Sequence, residues 1–282
     1  MRNGADMRPL VFSFILLTLL CQAALALTGQ GEDKQGPLSW SQWVDRCAQA
    51  RVLYLGEEHD GVVDHELQRD TLQALSQRRA VTVVAEMFQL PSQSVLNDYS
   101  QGRIDDEELR SLSEWDKRWG HAWEQYLPIW QVCQQQTVEL RPLRNSTESG
   151  KTLSKLGVQG LTAQERVGLA PEPYEFGPHP ESLRKVFEAH AGPVSQEAFE
   201  RFLKVQTIWE EFMAAQIRAA LSQDRMVVVL VGKGHLLHGF GLPQRVQRGW
   251  PHPLRQAVVV VNPQADERSR CDLWWNASGL VQ

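Results

Sequence analysis

Charged and imidazole side chains follow a short apolar run near the start of the chain. Residues 52–55 read Val-Leu-Tyr-Leu, and Gly56 is followed by Glu57, Glu58 and His59. A continuous apolar run that ends at a glycine predicts a buried strand that ends in a turn. In a parallel sheet, ligands bind beyond the carboxyl ends of the strands, where the loops can be polar. We therefore expect Glu57 and His59 to belong to a functional site.

The same pattern recurs late in the chain. Residues 226–231 are continuously apolar, and they are followed by Gly232, two further residues and His235. Between the two patterns, the β-branched run 81–84 predicts another buried strand, and Glu86 stands just beyond it. Side chains from these three strand ends can meet only if the three strands are neighbours in one sheet.

Two interpretations of these strand-end groups are open. In the first, His59 and His235 bind a divalent metal ion or act as general bases, and Glu57 and Glu86 assist. A metal-bound water with a pKa of about 7 would then hydrolyse an ester or amide. In the second, the same four side chains pair with one another as a structural polar network, since ionisable groups are costly to leave unpaired in a crevice. We favour the second.

An aromatic segment supplies a different kind of site. Its large rings are spaced three or four residues apart, which places them near one stripe of a helix. They are Trp115, Trp119, Trp123, Tyr126 and Trp130. Such a stripe can be ordinary core packing, but His121 shares the segment, and haem iron accepts a Tyr oxygen or a His nitrogen. We expect Tyr126 to be the iron ligand, Trp123 part of the wall, and His121 or His238 the partner. Pro128 is expected to kink or end the helix.

The N-terminus has the pattern of a signal peptide. Basic side chains precede an apolar run over 10–21, and Ala24 and Ala26 give the small-residue cleavage pattern. The run is short for a membrane span. We therefore assign residues 1–26 to a signal peptide and expect an exported protein, in the periplasm or associated with the cell envelope. Leu20 stands where a lipoprotein signal has a small residue, so lipid attachment at Cys21 is not expected.

The remaining chain is long enough for one domain. We interpret the polar, Gly-rich residues 27–39 as a tether and residues 40–282 as a single α/β domain. The alternation of strands and helices predicts a mostly parallel central sheet flanked by helices, with the aromatic helical segment in addition. The net charge of −5 gives no indication of nucleic-acid binding. Cys47, Cys133 and Cys271 allow at most one internal disulfide. Gln206 interrupts the apolar stripe of the longest predicted helix, which suggests that it faces the site.

An ordered set of segments resembles the ChaN family of haem-binding proteins. The segments are Gly56-Glu57-Glu58-His59 with His65 and Gln68, Ala85-Glu86-Met87-Phe88, Trp123 with Tyr126-Leu127-Pro128, Gln206 with Trp209-Glu210-Glu211-Phe212-Met213-Ala214, and Gly232-Lys233-Gly234-His235 with Gly241-Leu242-Pro243. The chain departs from the usual pattern at Leu20 and in the segment 140–145, so the resemblance assigns no role to Arg144.

The resemblance implies an exported bacterial protein of iron acquisition that binds haem between protomers, with a Tyr oxygen on the iron. ChaN is similar to a wider group that includes the Tiki metalloproteases and the erythromycin esterases, in which paired turns of this kind form a hydrolytic or metal site. We expect a haem-binding protein of haem and iron uptake rather than an enzyme. We also expect a homodimer on haem binding and an outer-membrane haem receptor as a possible partner. A metal-dependent hydrolase is the alternative.

Overall fold

A sheet of eight strands runs through the described part of this computed structural model. The structure describes residues 27–163, 195–237 and 241–278, and also 165, 166, 169, 183, 184, 187, 188 and 192. The strands are β1 (Gly29–Asp33), β2 (Gly36–Leu38), β3 (Val52–Glu57), β4 (Val81–Gln89), β5 (Glu139–Arg144), β6 (Met226–Gly232), β7 (Gln256–Val261) and β8 (Leu273–Ala277). Their order across the sheet is β2-β1-β8-β7-β3-β6-β4-β5.

The pairing of the strands confirms the predicted fold class. From β8 to β5 all neighbouring strands are parallel, and at the other edge β1 pairs antiparallel with both β2 and β8. The central strands are buried along their whole length, as apolar runs rich in Val and Leu predict for a parallel sheet covered on both faces.

The three strands that carry the strand-end groups are neighbours. β6 lies between β3 and β4, so the prediction of their adjacency is confirmed. Glu57 at the end of β3 is in register with Gly232 at the end of β6. Because parallel strands end at the same edge of a sheet, this order brings the two glycine–histidine turns side by side.

Helices cover both faces of the sheet. They are α1 (Trp40–Ala48), α2 (Val62–Ser76), α3 (Gln93–Ser100), α4 (Asp106–Leu112), α5 (Trp115–Arg118), α6 (Trp123–Gln135), α7 (Thr147–Leu156), α8 (Gln196–Leu221), α9 (Gly234–Leu237) and α10 (Leu242–Arg248). Leu53 and Leu55 of β3 pack with α1, α2 and α6 on one face. Val52 and Tyr54 face α8 and α10 on the other. This alternation follows from the two-residue period of a strand.

The aromatic segment does not form one helical stripe. α5 ends at Arg118, Gly120 adopts the left-handed region at φ +83°, and α6 begins at Trp123. Pro128 lies inside α6 and does not end it. The rings nevertheless form one cluster, because the Trp115 ring has its centre 5.0–6.5 Å from those of Trp119, Trp123, Tyr126 and Trp130.

The predicted tether is wrong for residues 29–38. These residues form β1 and β2, and β1 pairs with β8 at the end of the chain. The Trp275 ring of β8 packs edge-on against Trp43 with centres 5.3 Å apart. Gly and polar residues hid these two strands. β2 is the edge strand and pairs with β1, whose other partner, β8, lies more than 200 residues later in sequence. Cys47, Cys133 and Cys271 are buried free thiols. None of the described helices is long and apolar enough to cross a membrane.

Candidate functional site

The two glycine–histidine turns pack directly against each other. The backbone N–H of Lys233 donates to the carbonyl of Glu57 over 2.9 Å. A Cβ built on Gly56 would lie 2.8 Å from Leu236, and one built on Gly232 would lie 2.9 Å from Cε1 of His59. A side chain at either glycine would therefore collide with the other turn. This explains why both turns begin with glycine.

In the first turn, a buried carboxylate organises the surrounding side chains. Glu57 accepts hydrogen bonds from the Tyr126 hydroxyl at 2.6 Å and from Gln68 at 2.8 Å, and its Oε1 lies 2.9 Å from Nδ1 of His59. The buried ring of His65 lies 3.7 Å from the same carboxylate. Burial alone would raise the pKa of Glu57, but the hydrogen bonds from His59 and His65 outweigh it and lower the pKa. Glu57 is therefore a carboxylate that holds its neighbours in place.

In the second turn, two carboxylates from distant elements hold the histidine. Nδ1 of His235 binds Glu210 of α8, and its Nε2 lies 3.5 Å from Glu86 of β4. Glu86 also accepts the backbone N–H of Gly232 at 2.8 Å. Burial opposes charge on all three groups. The charges of Glu210 and Glu86 outweigh it at His235, and the charge of His235 outweighs it at Glu86, whereas at Glu210 burial prevails and raises the pKa. The pKa of His235 lies well above its usual value, and that of Glu86 falls to about 2. His235 and Glu86 thus form a buried ion pair.

The four strand-end residues singled out from sequence come together at this point. The His59 ring lies against Gly232, and the negative charge of Glu86 acts on this ring. Burial would lower the pKa of His59, but the hydrogen bond to Glu57 and the charge of Glu86 raise it, against the opposing charge of His235. The arrangement places two imidazoles at neighbouring strand ends, and each can exchange a proton with its own carboxylate partner.

Sequence reasoning missed Glu210. It lies four residues after Gln206, so both lie on the same side of α8. Glu210 has no exposed surface and carries the contact with His235, whereas Gln206 is only partly buried. The sequence does contain a signal for Glu210, namely an acidic residue between the apolar residues Trp209 and Phe212 of the predicted helix.

A partly exposed group of rings lies at the outer side of the first turn. We call the side chains of His59, Trp119 and His121 the imidazole–indole surface. The ring centres of the three lie 4.8–5.2 Å apart. The side chains of His59 and His121 are 34% and 30% exposed. Nδ1 of His121 lies 3.0 Å from the carboxylate of Asp60. Two imidazole rings and one indole ring are therefore partly exposed side by side here.

The predicted roles of Tyr126 and Trp123 do not agree with this geometry. Tyr126 has no exposed surface, and its hydroxyl donates to Glu57. Burial and the charge of Glu57 raise its pKa well above the usual range, which opposes the phenolate that iron binds. Trp123 is likewise buried. Both side chains belong to the core beneath the site, and the structure argues against Tyr126 as an axial ligand.

The other described tyrosines are engaged as well. Tyr54 and Tyr99 are buried, and their hydroxyls donate to Gln256 and Asp106. The fourth tyrosine of the chain, Tyr174, and the predicted partner His238 lie outside the described residues.

Metal-ligand geometry is not found in the described ranges. No group of three or more His, Cys, Asp and Glu side chains there could hold a metal ion. The prediction that His59 and His235 bind a divalent metal is therefore not supported. Beside the first turn, the rings of the imidazole–indole surface are partly exposed and can meet a planar ligand.

Comparison with known proteins identifies the family. The model of a family described as "Haem-binding uptake, Tiki superfamily, ChaN" matches residues 43–246. This chain belongs to the ChaN family. The match contains both glycine–histidine turns and the aromatic segment, so the site described above lies inside the part that the family shares.

Two relatives of this ChaN-family chain are informative. The structure titled "Cofacial heme binding to ChaN of Campylobacter jejuni" has a TM-score of 0.71 at 18% identity, over 89% of this chain and 98% of that one. The fold is therefore that of ChaN. Protein RETICULATA-RELATED 5, chloroplastic, from Arabidopsis thaliana is 26% identical over 240 residues, which cover 78% of this chain and 32% of that protein. The chain thus spans about a third of that relative's length.

Proposed function

We propose that this chain is an exported haem-binding protein of haem and iron uptake, and that haem binds on the imidazole–indole surface with His121 as its iron ligand. The observation that carries the proposal is the position of the His121 ring. It is partly exposed, it neighbours two further flat rings, and a carboxylate holds one of its nitrogens. Haem, when bound, would supply the iron that the imidazole ligates.

The hydrogen bond to Asp60 suits His121 to this role. Histidines that ligate metals generally donate their other ring N–H to a carboxylate or carbonyl, which fixes the tautomer and the ring orientation. With Nδ1 of His121 beside Asp60, the lone pair lies on Nε2, and Nε2 has no hydrogen bond within the described part of the chain.

His59 is the less suitable ligand of the two exposed histidines. Its Nδ1 lies beside Glu57, and the opposite edge of its ring faces the backbone of Gly232. We therefore assign His59 and Trp119 to the wall against which the porphyrin packs. Large aromatic rings bury a flat ligand with little loss of side-chain freedom.

A second copy of the chain would complete the site. A porphyrin that lies on a surface has one face against this chain and its other face uncovered. We infer that a second copy covers that face, so that haem binding produces a homodimer. The resemblance to a family that binds haem between protomers supports this inference.

A haemin titration of the purified mature chain tests the binding proposal. We expect a saturable change in the Soret band and a doubling of mass in sedimentation velocity when haem is added. A change that rises linearly with haemin and never saturates, as for non-specific adsorption, would contradict it.

Export is tested separately. The pattern of residues 1–26 supports cleavage after Ala26, so the intact mass of protein from a bacterial envelope fraction should correspond to a chain that begins at Leu27. A retained N-terminus would contradict the assignment, and an acylated Cys21 would contradict the expected lack of a lipid anchor.

A second candidate function rests on the two carboxylate-held imidazoles. His59 lies against Gly232, and the charge of His235 acts on it, so one imidazole could donate a proton while the other accepts one, as general acid and base in ester hydrolysis. Hydrolysis of 4-nitrophenyl butyrate would support this candidate only if His59→Ala abolishes it. If His59→Ala still hydrolyses the ester, or if the wild type does not hydrolyse it, the hydrolase candidate is refuted.

A further inference from the structure

A cavity lies between α7 and α8, beyond the ends of β4 and β5. Its volume is about 330 Å³, at the lower end of the range of roughly 300–1,000 Å³ for small-molecule sites. One wall is apolar and comes from a single face of α8. The side chains of this wall are Val205, Trp209, Phe212 and Met213. The three rings of the imidazole–indole surface do not line it, so it is a separate site.

The opposite wall is positively charged. Arg144 at the end of β5 and Lys151 on α7 both line the cavity, and no Asp or Glu is among its described lining residues. The nearest acid of α7, Glu148, is turned to Arg118 at 3.6 Å. An apolar wall that faces two cations is complementary to an apolar molecule that carries an anionic group.

Two donors in this wall have no partner. Nη2 of Arg144 donates to the carbonyl of Arg118 at 3.0 Å, and its guanidinium lies over the Trp119 ring, but its Nε is buried without a hydrogen bond. Nδ2 of the neighbouring Asn145 is buried and unpaired as well. Buried donors normally find acceptors, and the planar guanidinium matches the two oxygens of a carboxylate.

We propose that this cavity binds a small aromatic or aliphatic carboxylic acid. The carboxylate is held by Arg144 and Lys151, with Asn145 as an additional donor. The apolar body packs against Trp209 and Phe212. The occupant is smaller than a porphyrin, because the cavity volume is that of a compact ligand. Arg144 contacts the Trp119 ring of the imidazole–indole surface, but the three rings of that surface do not line the cavity. Binding of the carboxylate requires no haem, so the proposal does not depend on the proposed function.

Calorimetric titration with a matched pair of probes tests the proposal. 2-Naphthoate carries the carboxylate, and 2-naphthamide has the same ring system without the charge. We expect the full mature chain to bind naphthoate at least about tenfold more tightly than the amide, since hydrogen bonds to a charged group contribute at least that much. Equal affinities for the two probes, or no naphthoate binding at millimolar concentration, would overturn the proposal.

Variants locate the binding. Lys151→Gln should weaken naphthoate binding several-fold and Arg144→Gln about tenfold or more, because each removes one of the two cations. Lys155→Gln removes the same charge from the same helix but lies outside the cavity, so it should leave the affinity unchanged. Val205→Trp keeps both cations and fills the volume, and it should abolish binding. If Arg144→Gln fails to fold, the affinities of Lys151→Gln and Val205→Trp still test whether naphthoate binds in this cavity. Unchanged affinity in both would refute the site.

Discussion

The two glycine–histidine turns share one spacing in the sequence but are held in different ways. His59 receives its carboxylate from Glu57, two residues earlier at the end of β3, and its side chain remains 34% exposed. His235 receives Glu210 from α8 and Glu86 from β4, and its side chain is only 16% exposed. The first turn is organised locally, and the second by contacts distant in sequence.

This difference separates a ligand-facing turn from a structural one. The local partner of His59 leaves the ring at the surface, beside Trp119 and His121. The distant partners of His235 join α8 and β4 to the start of α9. We therefore expect changes in the second turn to affect the stability of the fold, and changes around the first to affect ligand binding.

The largest expected effect is on His235. His235→Ala leaves Glu210 and Glu86 buried without their cation, so the free energy of unfolding should fall by about 3–5 kcal/mol. His59→Ala should reduce it by only about 1–2 kcal/mol, because Tyr126 and Gln68 still donate to Glu57. Urea denaturation measures both, and the exposed His252→Ala is the control. Equal losses at the two histidines would contradict the comparison.

The ion pair of the second turn should also give an acid-dependent stability. The pKa of Glu86 is about 2 in the folded protein against 4.5 in a free glutamate, so its contribution is present above pH 4.5 and lost as the pH falls towards 2. Because each pKa unit is about 1.4 kcal/mol, this contribution is about 3 kcal/mol.

The measurement is urea denaturation between pH 5 and pH 2. Glu86→Gln should lose less free energy of unfolding than the wild type over this range, whereas Glu107→Gln, on an exposed turn of α4, should follow the wild type. If the free energy of unfolding of Glu86→Gln fell with decreasing pH as steeply as that of the wild type, Glu86 would not be the source of the acid dependence.

A smaller effect tests the contact between the turns. Gly232→Ala places a Cβ 2.9 Å from Cε1 of His59, and such overpacking costs about 1–3 kcal/mol. In a His59→Ala background the obstacle is gone, so the same change should cost clearly less. A double-mutant cycle measures this coupling. Strictly additive losses would mean that the two turns do not constrain each other.

The sequence was sufficient to predict the sheet and the convergence of its polar strand ends. Continuous apolar runs such as 226–231 mark buried parallel strands. The polar residues just beyond the ends of these runs are the candidate site residues: Glu57, His59, Glu86 and His235. The helix and strand periods are local properties, so they can be recognised without knowledge of the fold.

Three features could not be predicted, because each depends on contacts distant in sequence. β1 joins the sheet by pairing with β8, which is distant in sequence. Tyr126 looked like a ligand at a helix break, but the fold buries it against Glu57. Glu210 was hidden inside an apolar helix stripe, and only the packing of α8 on β6 shows that its carboxylate meets His235.

The smallest effect on stability is expected at His121, where the effect on the ligand should be greatest. His121→Ala changes a partly exposed side chain outside the core, and such substitutions alter the free energy of unfolding by about 0.5 kcal/mol or less. Urea denaturation beside His252→Ala checks this. A loss as large as that of His235→Ala would show that His121 is part of the structural network.

The absorption spectrum of the ferric haem complex tests the central claim most directly. The measurement compares the Soret and charge-transfer bands of the wild type, His121→Ala and Tyr126→Phe at equal haemin loading. We predict that His121→Ala loses the imidazole-ligated spectrum and most of the affinity, whereas Tyr126→Phe retains both. A spectrum that is retained in His121→Ala and lost in Tyr126→Phe would contradict this assignment and identify Tyr126 as the iron ligand.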